Sequence, residues 1–318
     1  MTSKIYKKLF GMLAICLIAI VTGVAVGKIF VDSSAGAQSV SGTYADYQDS
    51  ESQITALYER SKNGASALSF NAVELFEIAE YRLYHADQYY SVMCGTVDTM
   101  MVQAQSTEAV WKDGKLVVNK LSPGSVVLGI DTNVHSQTIY DSNTGAISVN
   151  KNGSFTEERT YGKTKNLSDE NFVPMKARFV ESSAVAYTME EYEAVFAKKP
   201  TMTIPYVISN LICGGDSKNF GGAKSNGDGT YSFELNISGA YLYASAIYYS
   251  KDIESSSGSA PIWKNLNIKV TIDSNFRFKQ IVYTETYKVK KMGMLVSIVD
   301  DFMQRFEYDN VPSVEEVM

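Results

Sequence analysis

Apolar and polar positions change their spacing several times along this chain, and each change marks an element. Residues Leu9 to Gly27 form one run of 19 uncharged, mostly apolar side chains behind Lys4, Lys7 and Lys8. At ~1.5 Å per residue the run is close to the ~30 Å hydrocarbon core of a bilayer. It predicts an N-terminal transmembrane helix, and the lysines on its short side favour a cytoplasmic N-terminus with the rest of the chain outside. Ala35-Gly36-Ala37 is an A-x-A-like cleavage site, so secretion after Ala37 is the alternative to a permanent signal-anchor. Residues 1–31 are read as anchor or signal segment, residues 32–48 as a Ser-, Gly- and Ala-rich spacer, and residues 49–318 as an extracytoplasmic α+β domain.

Helical spacing opens that domain. Ser50 and Gln53 stand at capping-box distance before Ile54, Leu57 and Tyr58, and Asn63-Gly64 supplies the stop. A second helix should begin after Asn71, with Glu74 closing a capping box, and run to about Asp87 on a stripe of Val73, Phe76, Ala79, Tyr81 and Leu83. Three further helical stretches are expected: Ser168 to Phe172, a helix from Thr188 capped by Glu191 and stopped by Pro200, and Ile204 to Cys213 before Gly214-Gly215. Residues 240–253 suit either a strand or a helix, and Ser238 as cap favours the helix; Ser255 to Ala260 follow as a loop.

Period-two alternation fills two other blocks. From Ser91 to Gly162, strand cores at Val110-Trp111, Leu116 to Val118, Val126 to Ile130, Thr138 to Tyr140 and Ile147 to Val149 are separated by Asp113-Gly114, Pro123-Gly124, Asn143-Thr144-Gly145 and Asn152-Gly153. From Thr230 onward, Tyr231, Phe233, Leu235 and Ile237 share one strand face. A three-stranded meander follows, with Leu266, Ile268, Val270 and Ile272, then Ile281, Tyr283, Tyr287 and Val289, then a strand ending at Phe306 and Tyr308. Two strand blocks around central helices predict one curved antiparallel sheet with helices packed on its concave face.

Charge narrows the partners. The whole chain carries −6, and the four lysines of residues 1–31, a segment without acids, leave −10 on the exported part. Such a surface repels phosphate backbones, which argues against nucleic acid. Tyrosine is abundant, at 21 copies, and its apolar ring and wet hydroxyl suit half-buried strands and amphipathic binding faces alike. Cys94 and Cys213 permit one disulfide across the fold, while buried free thiols are the other reading.

The segment Ile262 to Tyr308, with Ile268-Lys269-Val270-Thr271-Ile272-Asp273 followed by Ile281 to Tyr287, resembles uncharacterised exported proteins of Gram-positive bacteria. The order of a leading helix, a strand block, central helices and a strand meander resembles the half-barrel of LolA and LppX-like envelope lipoprotein carriers. That resemblance implies a hydrophobic cavity between sheet and helices that shields an acyl chain or another apolar ligand. Cys16 follows the branched Ile15 inside the apolar run and does not suit lipid attachment, a departure from the LppX-like pattern.

Chemical motifs are sparse. His85 and His135 stand apart from other ligand-type residues, no GxSxG or SxxK occurs, and the Gly214 to Thr230 stretch lacks phosphate-loop or calcium-loop spacing. No cofactor or metal is expected, and a non-enzymatic protein is the leading reading. A secreted hydrolase using two convergent carboxylates needs no local motif and stands third. The expected binding face carries Phe233, Tyr283, Tyr287 and Phe306, with Glu285 on the same strand side as Tyr283 and Tyr287. An inward Glu285 must be paired; an outward acid, or one bridged to a lysine of a neighbouring strand, is the other reading. The ligand would be lipid-like, hydrophobic or amphipathic. The second functional reading is an envelope scaffold or sensor that binds another protein and has a filled core.

Overall fold

The computed structural model describes residues 51–98, 102–122, 134–151, 153–157, 167–180, 184–196, 198–209, 211, 220–238, 242–243, 245–257, 259–291 and 294–318. The expected anchor and spacer, the strand core at Val126 to Ile130, and Cys213 lie outside these residues. Among the described residues no helix is long and apolar enough to cross a membrane.

Helix α1 (Glu51–Lys62) ends at Gly64, whose φ of +83° is left-handed backbone that glycine adopts without strain. Helix α2 (Ala72–Tyr84) starts in the expected capping box. Asn71 Oδ1 accepts from the Glu74 amide at 3.0 Å, and the Asn71 amide donates to Glu74 Oε2 at 2.9 Å. Such a cap stabilises a helix by about 1 kcal/mol.

The strands are β1 (Tyr89–Asp98), β2 (Val102–Lys112), β3 (Lys115–Ser122), β4 (Val134–Asp141), β5 (Ala146–Lys151), β6 (Phe155–Glu157), β7 (Ala177–Phe179), β8 (Val185–Tyr187), β9 (Lys224–Ser225), β10 (Tyr231–Ile237), β11 (Ile262–Ile272), β12 (Phe278–Lys291) and β13 (Met294–Glu307). Eleven of them form one antiparallel sheet in the order β8-β5-β4-β3-β2-β1-β13-β12-β11-β10-β9, and β6 pairs with β7 apart from it. The two strand blocks of the sequence meet where β1 pairs with β13, with Cys94 opposite Met303. The sheet is curved and unclosed, with β8 and β9 at its two ends. Asp113-Gly114, with φ of 52° and 73°, makes the left-handed two-residue turn between β2 and β3. Gly227 and Gly229, both left-handed, turn β9 into β10, so the glycine-rich stretch ends in a hairpin as its Asn-Gly-Asp-Gly chemistry predicts.

The concave face holds the main core. Helix α2 packs on β10 and β12, α4 (Ile247–Ser257) packs on β12, and α3 (Met189–Phe196) packs on β5 and β8 at the other end. Helix α3 keeps its predicted cap, Thr188 with Glu191, and Tyr187 meets Tyr192 edge-on at 6.3 Å. Helix α4 continues to Ser257, so part of the expected loop from Ser255 is helical.

Two expected helices are corrected. Residues 168–172 form a turn closed by the Asn171 amide on the Ser168 carbonyl, because Asn171 Oδ1 also takes the Ser168 amide and favours the turn over a helix. The second is corrected at its start only: residues 204–209 form an irregular buried segment whose Val207 amide donates to the Ser245 carbonyl at 2.7 Å, Leu211 is helical, and the rest of the expected helix lies outside the described residues. Ile204, Tyr206, Val207 and Ile208 are nonetheless all buried, so the apolar content read as a helix face is used as a lid of the core.

The cover is also not confined to the concave side. Over β1 to β4 the convex face is roofed by residues 167–180, β6 and the C-terminal helix α5 (Val314–Val317). Val110 and Val117 point outward into Val311, Val314 and Val317. The polar residues of that face hold the roof. Ser106 Oγ accepts from the Met175 amide, and the Asn119 amide nitrogen donates to the carbonyls of Ala177 and Val317. Glu108 takes Arg178 at 2.8 Å, Lys176 at 3.6 Å and the Tyr90 hydroxyl.

Candidate functional site

The site is laid out by strand register. Tyr283, Glu285 and Tyr287 alternate on the buried side of β12, and β13 sets Phe302, Asp300 and Ile298 directly opposite them. On the other side β11 sets Ile268, Leu266 and Trp263 opposite the same three residues. A carboxyl therefore stands against a carboxyl in the middle of an otherwise apolar face, where like groups directly opposed are unfavourable. Glu285 is 2% exposed and Asp300 is fully buried.

The cover supplies the hydroxyls. Tyr206, from the irregular segment, donates its hydroxyl to Glu285 Oε1. Tyr249 of α4 and Tyr287 of β12 donate to the same oxygen, Asp300 Oδ2, at 3.2 and 3.1 Å. Trp263 donates to Ser250 Oγ of α4 at 2.8 Å and holds that helix against the sheet. The rings form a continuous wall: Tyr206 lies 6.2 Å from Tyr249, Tyr249 5.9 Å from Trp263, and Trp263 4.8 Å from Tyr287.

A second acidic pair approaches from α2. Nine of the thirteen residues of that helix are buried, and Glu77 and Glu80 are two of the nine. Three and four residue spacing aligns Glu77, Glu80 and Tyr84 along one ridge, and Tyr84 donates to Glu80 Oε1 at 2.9 Å. The field of Glu80 reaches the Tyr283 phenol, as does that of Glu285, so Tyr283 lies between the two pairs. Its hydroxyl donates to Gln304 Oε1 at 3.4 Å, and Gln304 in turn donates to Ser91.

Burial governs the charge of the whole seam. It drives the Glu285 carboxyl far above the usual carboxylate range, with Asp300 adding to the effect and the Tyr206 hydrogen bond opposing it. Asp300 is pushed up to about 7 by burial, against the bonds from Tyr287 and Tyr249. Glu80 is pushed up to about 8 by burial, and Glu77 is also raised well above the usual carboxylate range, by burial and by Glu80. The phenols of Tyr206, Tyr249, Tyr283 and Tyr287 are all raised, first by burial. Among the described residues none of these four acids forms an ion pair, and five of their oxygens have no hydrogen-bond partner: Glu285 Oε2, Asp300 Oδ1, Glu80 Oε2 and both oxygens of Glu77.

Of the residues expected at a binding face, Tyr283, Glu285 and Tyr287 come together here. The outward or lysine-bridged Glu285 is corrected: the side chain points inward and its partner is a phenol. Phe306 lies six residues from Asp300 along β13, about 20 Å away at ~3.3 Å per residue, and packs on Phe278 at 5.5 Å. Phe233 sits on β10 opposite Val270, well away from Glu285, and is buried in the same core.

Asp300, Tyr206, Tyr249, Glu77 and Glu80 were not anticipated. Alternation through Ile298, Asp300, Phe302 and Phe306 carries the signal for Asp300, and acids inside the apolar stripe of α2 carry it for Glu77 and Glu80. Nothing local marks Tyr206. His85 caps the end of α2 as a helix-end residue, and among the described residues no group of His, Cys, Asp and Glu is arranged to hold a metal.

No family model matches the chain, and no curated protein matches it. Among solved structures the chain bears a weak resemblance to a LolA superfamily protein from Nitrosomonas europaea, at 9% identity over 76% of this chain and 95% of that one, with a TM-score of 0.24. A superposition that loose places no residue of this chain.

Proposed function

We propose that this is a membrane-anchored, extracytoplasmic binding protein whose concave core takes up an amphipathic, lipid-like ligand. The carrying observation is a buried polar seam with unpartnered carboxyl oxygens, set in an apolar core beneath a cover that is not a second sheet. Native structures rarely leave buried polar atoms without partners, and buried acids with strongly shifted pKa values cluster at functional sites. The cover consists of the irregular segment through Tyr206 and of helix α4. Lifting it breaks two phenol–carboxyl bonds, Tyr206 to Glu285 and Tyr249 to Asp300, and bares Tyr283, Glu285 and Tyr287 together. The ligand's apolar part lies against the aromatic wall and its polar end at Glu285 and Asp300.

Binding fits the arrangement better than catalysis. The two carboxyls converge, as acid–base hydrolysis requires, but both are buried and bonded to phenols, and a hydrolase needs its pair open to substrate and solvent. The apolar run of residues 9–27 supports tethering at the outer side of the cytoplasmic membrane. Protease added to spheroplasts should then digest the domain, and complete protection would reverse the topology.

The test of ligand binding is native mass spectrometry of the full chain after mild extraction, with organic extraction of the same sample. A bound lipid-like mass that is lost when Tyr206 and Tyr249 are both changed to Trp supports the reading. A protein that carries nothing and does not take up a fluorescent alkyl probe defeats it.

A second reading, a scaffold for another envelope protein, is favoured by a different observation. Val185 of the terminal strand β8 and Val195 of α3, which packs on it, are both 55% exposed. A strand at a sheet end with exposed apolar side chains is a template for strand addition. Val185→Lys would weaken such a partner and leave a ligand in the concave core untouched.

A further inference from the structure

The fold treats its buried acids in two opposite ways. Glu108, on the convex face, is 2% exposed and receives a guanidinium, an ammonium and a phenol. The described arginines near the other end of the sheet are likewise committed, Arg277 to Asp273 and Arg305 to Asp169. Glu77, Glu80, Glu285 and Asp300, on the concave face, receive phenols or nothing, and no cation among the described residues. Glu77 is the extreme case, 1% exposed with neither oxygen bonded.

We propose that the polar end of the ligand is a protonated amine, received by Glu285 and Asp300 inside the wall of Tyr206, Tyr249, Tyr287 and Trp263. The inference rests on the amphipathic-ligand reading above and names the chemical class of the head group. Three arguments meet. An anionic head would enter a space that holds four carboxyls and no described counter-charge, at a cost no apolar burial offsets. A neutral hydroxyl head brings one donor for two unpartnered oxygens, Glu285 Oε2 and Asp300 Oδ1, and no charge. An ammonium brings three donors and a charge, and it lets one of the two carboxyls ionise beside it as a charged, hydrogen-bonded pair while the other keeps its proton. The surrounding rings add cation–π attraction, for which Trp and Tyr faces within ~6 Å of an ammonium are suited.

Tyr206 and Tyr249 belong to the cover and Glu285, Tyr287 and Asp300 to the sheet, so the ligand enters between them and replaces two cover-to-sheet bonds with its own N–H donors. Apart from exchanged hydrogen bonds, the only change is one carboxyl proton released to solvent from the Glu285–Asp300 pair as the ammonium arrives.

The experiment uses the full chain in nanodiscs, with empty nanodiscs as reference, titrated at pH 7.5 with dodecylamine, dodecanol and laurate of equal chain length. Trp263 emission and the unfolding midpoint are read together. Dodecylamine is expected to bind at least tenfold more tightly than dodecanol, and laurate not at all. In the Glu285→Gln, Asp300→Asn double variant the preference should shrink below threefold while dodecanol binding persists, and Asp300→Asn alone should fall between. Laurate binding as tightly as dodecylamine, or a double variant that keeps the full preference, overturns the amine head and leaves the amphipathic site standing. If none of the three probes binds, the amphipathic site itself falls and the amine head with it.

Discussion

Glu285 of β12 and Asp300 of β13 are direct cross-strand partners on the buried face of the sheet, and among the described residues the side chains that hydrogen-bond to them are phenols. Removing one potential charge while keeping its acceptor geometry should therefore help the fold. Asp300→Asn retains an oxygen for Tyr249 and Tyr287 and abolishes the like-charge pair. At pH 8, above the Asp300 value of about 7, it is expected to raise stability by about 1 kcal/mol or more, because the variant has no buried charge to desolvate. Urea unfolding at pH 8 and pH 5 checks it, because at pH 5 the wild-type pair is already protonated and the variant should gain little.

The same groups set the pH dependence. An acid whose folded pKa is raised stabilises the fold while protonated, and between its unfolded and folded pKa the native state keeps a proton that the unfolded chain has released. Asp300 moves from 3.8 to about 7 and Glu80 from 4.5 to about 8. Stability should thus fall as pH rises from about 4 to about 8, by roughly 4 kcal/mol for Asp300 alone at ~1.36 kcal/mol per unit. Glu191 and Asp228 are exposed and lowered by their bonds to Thr188 and Thr230, so they act with the opposite sign and only in more acid solution. A urea midpoint that rises between pH 5 and pH 8 would contradict the protonated seam.

The sheet was legible because alternation and turn chemistry agree residue by residue. Asp113-Gly114 fixes the β2–β3 register, and that register puts Ala109 inward and Val110 outward. The capping boxes at Asn71 and Thr188 were legible for the same reason: the backbone donors they satisfy are local. What was hidden depends on contacts far apart in the chain. The convex roof joins Asn119 to Val317 across 198 residues, and polar residues on an outward face read as solvated when their partners are that distant. The candidate site was half visible. Glu285 announced itself as an acid among aromatics, whereas Tyr206 lies in a segment with no regular period and is placed by the tertiary fold alone.

Gly95 is required by a close approach. Its strand neighbour across β13 is Phe302, and a Cβ at Gly95 would collide with the Asp301 carbonyl and with the Phe302 ring and Cα. Backbone cannot give way as a flexible side chain can, so Gly95→Ala should cost about 1 to 3 kcal/mol or more. Gly145→Ala serves as comparison, because nothing lies within 4 Å of its Cβ position and only its φ of +73° is strained; it should cost about 1 kcal/mol. Equal losses in thermal unfolding would mean that the Phe302 contact yields.

The C-terminal segment should behave as part of the core although it is the last element of the chain. Val311, Val314 and Val317 cover Val110 and Val117, and burying each valine is worth ~1.5 kcal/mol or more. The carbonyls of Val317 and Met318 accept from Asn119 and Gln137, whose amides are buried. Truncation after Asn310 removes those acceptors together with the apolar cover, and each unsatisfied buried amide adds ~1 to 3 kcal/mol. The expected loss is about 5 kcal/mol or more, enough to unfold a domain of ordinary stability. Val314→Ala, which keeps every hydrogen bond, should cost only about 1 to 2 kcal/mol. A truncated chain with an unchanged urea midpoint would show that the convex roof does not contribute to stability, and that Asn119 and Gln137 find water in its place.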